Sequence, residues 1–450
     1  KKIIFNFNDV HFDLIINYIM HKILFIPFDG AGHVNSVIAM SQVLMKSGHK
    51  CTVGINNLWK GKMETYGIRE ILWSQENRKN AESGVKYWGL GLIESGIIGP
   101  ADAWEKLDIH LKWAEAFYES QHFIDGFVEQ AIRDVEPDVI LVDQFGTLMS
   151  VMKSGIPWVL VCTCNPLCYL DDDRTPPFFS GLPIAGPISE WQRFRNIYKK
   201  GIQESWDRMN ALEIANGFPP LKFPKYINDS KYLNIYDYPL ELDYQDVRPL
   251  PDNWYRFDNF MRNDQHLPFE LPKQLRDKPG NLIYFSLGSM GGADVDNMKR
   301  LVGILAKSQH RFIVSKGPLG DEYDLPDNMW GQPSVLQINV LPLVDLVITH
   351  GGNNTITETF SFGKPMIVMP LFSDQYDNAQ RVDEKGYGIR LDAYKCSEEE
   401  LLRAIEKLLN DNILTEKMQK ISQRICWENS LTKLPKLLEN LVEKYGSNNN

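Results

Sequence analysis

Thr349-His350-Gly351-Gly352-Asn353-Asn354-Thr355, preceded by Leu346-Val347-Ile348 and followed by Ile356-Thr357-Glu358-Thr359-Phe360, decides how the rest of the chain is read. The apolar run has the pattern of a buried parallel strand. The residues after Asn354 continue without Pro or Gly and read as the opening turns of a helix. A strand, two glycines and a helix opening on Asn and Thr build an anion site. Small residues such as Gly352 let backbone N–H groups approach, and a helix N-terminus carries about half a positive charge. His350 adds a donor at the strand end, and Glu358, about two turns in, can accept hydrogen bonds from a hydroxylated ligand. Phosphate plus ribose means a nucleotide. Gly-Gly alone would be an ordinary strand-to-helix turn.

A second stretch narrows the choice. Pro365-Met366-Ile367-Val368-Met369-Pro370-Leu371-Phe372 is another buried strand bounded by prolines. It delivers Ser373, Asp374, Gln375 and Asn378 to its carboxyl end, where open α/β sheets place ligands. An acid beside an amide suits sugar hydroxyls, since one only accepts and the other both donates and accepts. The combination H-G-G-N-N-T-x-x-E through G-x-P-M-x-x-x-P-L-F-x-D-Q-x-x-N, residues 350–378, resembles the donor-binding signature of the family 1 UDP-dependent glycosyltransferases. The resemblance implies an α/β fold of the GT-B type, with two Rossmann-like domains facing each other across a cleft and a parallel sheet in each.

Bulk properties agree. A chain of 450 residues exceeds what one core usually supports, so two domains are expected. Hydrophobic content of 43% with 24% charged residues is that of a globular protein, and a net charge of −10 argues against a nucleic-acid binder or polybasic membrane adapter. Cys162, Cys164 and Cys168 have no His or acid at ligand spacing, so they read as buried free thiols of a reducing, cytoplasmic compartment rather than a metal site. Asn6, Asn8, Asp9, His11, Asp13 and Asn17 interrupt any apolar leader, and no twenty-residue apolar run follows. Residues 1–19 are therefore expected to be a leader outside the fold. The resemblance is to unanchored members, as in plants, arthropods and bacteria, and a monomer is expected.

Alternating strands and helices run along the chain. Lys22–Phe28, Cys51–Ile55, Val139–Val142 and 156–161 read as strands of an acceptor-binding domain, 20–238, with helices over 101–134 and 188–216. The Pro-rich stretch 239–280 reads as an interdomain linker, with Tyr255-Arg256-Phe257 a short extended piece inside it. A nucleotide-sugar domain, 281–430, follows, with strands at 281–286, 311–315, 335–338, 346–349, 365–369 and 388–391 and a capping box opening at Ser397. Residues 431–450 read as an amphipathic helix and tail that, by the resemblance, returns to the first domain.

Glycosyl transfer requires a base for the acceptor hydroxyl and stabilisation of the departing diphosphate. Histidine suits the first task, its ordinary pKa of about 6.5 lying near working pH. Gly30-Ala31-Gly32-His33-Val34-Asn35 matches the family's G-x-G-H-V-N element, with Ser36 where many members have Pro. The resemblance makes His33 the base and Asp143, at the end of its strand, the carboxylate that orients it; Asp138 is the alternative. It also assigns Ser289, His350, Gly352, Asn354 and Thr355 to the diphosphate, Glu358 to the ribose, Asp374 and Gln375 to the sugar, and Gln337 to the nucleobase end. There the usual aromatic-x-P-Q is lost, Ser334 and Leu336 replacing the aromatic and Pro, with Trp330 upstream as a substitute. Asp171-Asp172-Asp173 reads as a solvated loop, and no metal is assigned. The expected reaction is inverting transfer of a hexose, glucose, from UDP-glucose as co-substrate, with no cofactor, to a hydroxyl of a small lipophilic acceptor, as in detoxification or secondary metabolism. A TDP-sugar enzyme acting on a polyketide or lipid, and a non-catalytic lipophile-binding protein, are the other readings.

Overall fold

A computed structural model describes residues 20–74, 84–264 and 269–446; the leader expected over 1–19 lies outside them. Seven strands form the first sheet: β1 (Lys22–Pro27), β2 (Lys50–Asn56), β3 (Arg69–Trp73), β4 (Val139–Asp143), β5 (Trp158–Cys162), β6 (Leu233–Asp237) and β7 (Trp254–Phe257). Six form the second: β8 (Leu282–Ser286), β9 (Arg311–Ser315), β10 (Met329–Gln332), β11 (Leu346–Thr349), β12 (Met366–Val368) and β13 (Gly388–Arg390). Helices fill the crossovers: α1 (Ala31–Lys46), α2 (Gly84–Glu94), α3 (Leu107–Val135), α4 (Met149–Lys153), α5 (Ile188–Ala215), α6 (Lys273–Arg276) and α7 (Gly288–Gly291). They continue with α8 (Val295–Leu305), α9 (Gln337–Val340), α10 (Asn353–Ser361), α11 (Gln375–Glu384), α12 (Glu398–Leu409), α13 (Asn412–Glu428) and α14 (Leu434–Tyr445).

Every pairing is parallel, in the orders β3-β2-β1-β4-β5-β6-β7 and β10-β9-β8-β11-β12-β13. Each order reverses direction once, between β1 and β4 in the first sheet and between β8 and β11 in the second. Crevices for ligands open outside the carboxyl ends of strands at such reversals. Register puts Pro27 opposite Asp143 at one crevice and Ser286 opposite Thr349 at the other.

The central strands are apolar on both faces because helices cover both. Leu24, Ile26, Ile140, Val142 and Leu160 belong to one core, which runs on into the second domain, while Ile23, Phe25, Leu141, Val159 and Val161 belong to another. That second core also takes Leu431, Leu434, Leu438 and Leu441, so α14 lies against the first domain. Burying each such leucine contributes about 1.5–3 kcal/mol.

The sequence reading lacks β3 and β6, and two further stretches differ from it. Trp254–Phe257, inside the expected linker, pairs with β6 as the seventh strand. The expected strand at 335–338 is instead a turn of helix, in which the N–H groups of Asn339 and Val340 bond back to the Leu336 carbonyl at 3.0 and 3.1 Å. The strand lies upstream as β10, and Pro333, lacking an N–H, only accepts there, from the Gly317 N–H at 3.0 Å. A short apolar run does not distinguish the two by period alone.

The domains meet through buried polar contacts. Asp377 of α11 accepts from the N–H groups of Phe179 and Gly181 at 2.5 and 2.9 Å, and Arg381 donates to the Leu242 and Asp243 carbonyls at 2.7 and 2.9 Å. Arg424 donates to Glu241 and Asp258, each at 2.8 Å.

Candidate active site

At the first crevice the chain leaves β1 and enters α1 at Gly30, which places His33 in the first helical turn. A Cβ on Gly30 would stand 2.9 Å from the His33 ring, so the glycine makes room for the imidazole. His33 Nδ1 lies 2.8 Å from Asp143 Oδ2, and Asp143 is buried at the end of β4. Thr163, just past β5, completes the group: its Oγ1 is 2.8 Å from His33 Nδ1 and donates to Asp143 Oδ2 at 3.0 Å. With the threonine proton spent on the carboxylate, Nδ1–H is shared between the two oxygens and Nε2 keeps its lone pair. Phe28 and Phe145 meet the ring edge-on, with centroids at 4.9 and 5.8 Å, and give it an apolar rim. Asp138, the alternative partner, lies at the opposite, amino end of the strands, where it accepts from the Lys22 N–H at 2.7 Å.

At the second crevice His350 is wedged between two loops. A Cβ on Gly288 would fall 2.6 Å from its ring, and one on Gly352 would fall 2.5 Å from it. Gly288 also has a φ of 74°, which favours glycine. Burial lowers the His350 imidazole to about 4, against a smaller opposing effect of a backbone hydrogen bond with Ser286, so it is neutral at physiological pH. Ser289 is half-buried in α7 beside it. Asn354 and Thr355 sit in the first turn of α10. The Asn354 side chain reaches the other domain, donating to the Gly32 carbonyl at 2.9 Å and accepting from Ser36 Oγ at 3.3 Å.

One turn further, Gln337 and Glu358 come together. Gln337 Nε2 donates to Glu358 Oε2 at 2.5 Å and to Thr355 Oγ1 at 3.3 Å. Burial raises the Glu358 carboxyl, opposed by Arg262, whose Nη1 lies 4.0 Å away, and by Gln337. Arg262 itself donates to Asp264, which also accepts from Tyr66. Trp330 packs against Phe269 with centroids 5.7 Å apart.

Asp374 and Gln375 open α11. Burial raises Asp374 to about 6, against the opposing pull of the Asn165 N–H and of His33. Its Oδ2 accepts from that N–H at 3.0 Å, which ties the loop to the segment carrying Thr163. Gln375 Oε1 accepts from the N–H groups of Leu371 and Phe372 at 3.0 and 3.3 Å. Thus the flip of its amide is defined, with Nε2 turned away from the loop.

Outside the crevices, Asp172 pairs with Arg174 and Asp171 with Arg195, both at 2.7 Å, so these acids are spent on neighbouring arginines. Cys162, Cys164 and Cys168 are free thiols. Burial raises all three, which leaves them protonated. No helix among the described residues is long and apolar enough to cross a membrane.

Sequence reading missed Thr163, Arg262 and Lys106. Thr163 ends a strand beside β4, and its place at a carboxyl end was the available signal. Arg262 lies in the Pro-rich stretch and carries no motif. Lys106 follows a capping box, Asp102 accepting from the Glu105 N–H and Glu105 from the Asp102 N–H, each at 2.9 Å.

The family of UDP-glucoronosyl and UDP-glucosyl transferases matches residues 266–426. Human UDP-glucuronosyltransferase 1A9 is 37% identical over 433 residues, a match covering 89% of this chain and 78% of that one. The chain belongs to the UDP-glycosyltransferase family. Another relative of this UDP-glycosyltransferase is the Bacillus subtilis UDP-glucosyltransferase YdhE, 25% identical over 413 residues, covering 90% of this chain and 94% of that one. Among solved structures, the kitacinnamycin glycosyltransferase superposes with a TM-score of 0.67 at 17% identity over 94% of this chain and 99% of its own. The calicheamicin glycosyltransferase CalG4 does so with a TM-score of 0.65 at 15% identity, with the same coverage of both chains. The enzyme therefore has the GT-B architecture, and its two crevices open on the cleft between the domains.

Proposed function

We propose that the enzyme transfers glucose from UDP-glucose to a hydroxyl of a small lipophilic acceptor, with inversion at the anomeric carbon and with His33 as base. One observation carries this reading. The His33–Asp143–Thr163 group of one domain and the Asp374–Gln375 loop of the other are joined within two residues, through Thr163 and Asn165. A base and a sugar-gripping pair are thereby neighbours across the cleft.

The acceptor lies against Phe28 and Phe145 with its hydroxyl on His33 Nε2. As the oxygen attacks the anomeric carbon, its proton passes to Nε2 and Asp143 stabilises the imidazolium. The bond from that carbon to the diphosphate oxygen breaks, and its electron pair leaves with UDP. The N-terminus of α10 and Ser289 receive the developing charge, while the single N–H of neutral His350 goes to the Ser286 backbone behind them. Glu358 and Gln337 hold ribose and base. Attack opposite the leaving group inverts the centre.

Likeness to a UDP-glucuronosyltransferase favours a second donor, UDP-glucuronate. A glucuronate carboxylate calls for a cation at the sugar loop. Lys106 is the cation behind that loop, and it spends its three N–H groups on Gly99 O, Leu371 O and the Tyr376 hydroxyl. Glucose is therefore preferred. Measuring UDP release with each donor and a panel of lipophilic alcohols and phenols decides between them. Acceptor-dependent release that is faster with UDP-glucose and lost in His33→Ala supports the reading. Saturable ligand binding with no turnover refutes it.

A further inference from the structure

Lys106 is 2% exposed, and none of its hydrogen-bond partners is an acid. It stands at the start of α3, on the acceptor domain, yet its ammonium crosses to the donor domain. There it donates to the Leu371 carbonyl at 2.7 Å and bonds the Tyr376 hydroxyl at 3.0 Å, while a third bond, at 2.8 Å, holds Gly99 of its own domain. Tyr376 donates to the same Leu371 carbonyl at 2.9 Å. On the other side of that residue, the Leu371 N–H donates to Gln375 Oε1. Leu371 is thus gripped at both of its backbone polar groups, by a cation from one domain and by a sugar-loop side chain from the other. A charge-assisted bond is roughly twice as strong as a neutral one and fixes its acceptor accordingly.

We propose that Lys106 is a positioning residue for the donor sugar: by holding Leu371 from across the cleft it sets the loop on which Gln375 anchors its amide oxygen and so turns the amide N–H2 toward the hexose. The inference rests on the reading that Gln375 grips the sugar. It couples assembly of the sugar site to closure of the acceptor domain, because the holding group arrives with that domain. Burial lowers the ammonium to about 8, with Asp392, Asp102 and Glu105 holding it up and Lys395 pushing it down. It is accordingly mostly charged at neutral pH, and the grip weakens as pH rises through about 8.

Calorimetric titration of UDP and of UDP-glucose into the full chain tests this. UDP lacks the hexose and serves as the internal control. In Lys106→Met the Kd for UDP stays within about twofold, while that for UDP-glucose rises about tenfold, the scale of one buried hydrogen bond lost. Gln375→Ala does the same, and the double variant is no worse than Gln375→Ala alone, because one residue acts through the other. Tyr376→Phe, which retains the ring and removes one bond to Leu371, weakens UDP-glucose about threefold and serves if Lys106→Met does not fold. Equal weakening of UDP and UDP-glucose in Lys106→Met, or additive losses in the double variant, would show a merely structural lysine and overturn the inference. If Gln375→Ala leaves UDP-glucose binding intact, the sugar-grip reading fails and takes the inference with it. If Gln375→Ala weakens binding while Lys106→Met and Tyr376→Phe do not, the inference alone fails.

Discussion

Replacing Asp143 by Asn tests the base most directly. The carboxylate is buried, 2.8 Å from His33 Nδ1, and accepts a second bond from Thr163. Asparagine keeps the shape but removes the charge that faces an imidazolium once the acceptor proton has moved. Two unit charges about 4 Å apart at an effective dielectric constant of about 20 interact by about 4 kcal/mol. In the proposed mechanism the charge on His33 forms as the acceptor proton moves, so this energy is withdrawn from the transition state and not from the bound substrates. Each 1.36 kcal/mol is tenfold in rate, so kcat should fall about 10³-fold with both KM values nearly unchanged. Thr163→Val removes a neutral hydroxyl and costs about 1 kcal/mol, roughly fivefold in kcat. Initial rates of acceptor-dependent UDP release measure both, with melting temperature as the check on folding. A fall of less than tenfold in a folded Asp143→Asn protein, or a change confined to KM, would refute the role given to this pair.

Three other outcomes are expected. Because Asp374 is raised to about 6, its carboxylate is present above that pH and is lost as pH falls through it. At pH 5 about one tenth remains ionised, so KM for the donor should rise about tenfold. Protonating a buried acid whose pKa is raised in the fold favours the folded state. This group therefore adds nothing to acid unfolding, and melting curves at the two pH values separate the effects. Glu358→Ala should weaken UDP itself by about tenfold to a hundredfold in calorimetry, since in the proposed site the ribose hydroxyls would lose a buried acceptor. Leu438→Ala, on the buried face of α14 and 1% exposed, should cost about 2–5 kcal/mol in chemical denaturation.

Residues 349–358 and 365–378 were legible because each packs a whole strand, turn and helix start into consecutive positions. The glycines of those turns can be read without knowing what surrounds them. His33 was legible for the same reason, lying one turn after a strand. Thr163 was not: a threonine after a strand is common, and only pairing beside β4 gives it two partners. Lys106 was further out of reach, because its partners at Leu371 and Tyr376 are 265 and 270 residues away in sequence. The strand expected at 335–338 failed because four apolar and polar positions fit either period, and the neighbouring prolines decide. Of Trp254–Phe257, Tyr255-Arg256-Phe257 was legible as a short extended piece, but the prolines around it, which are compatible with an edge strand, hid its place in the sheet.

The backbone passes from the first lobe to the second between Phe257 and Leu282, and passes back between Glu428 and Leu434, where α14 lies against its starting lobe. Two tethers side by side act as a hinge pin. A lobe held by one linker can tumble in any direction, whereas a lobe held by two swings about a single line. Any opening of the cleft would then follow one arc, and shutting would bring Asn354 back to Gly32 and Lys106 back to Leu371 along it.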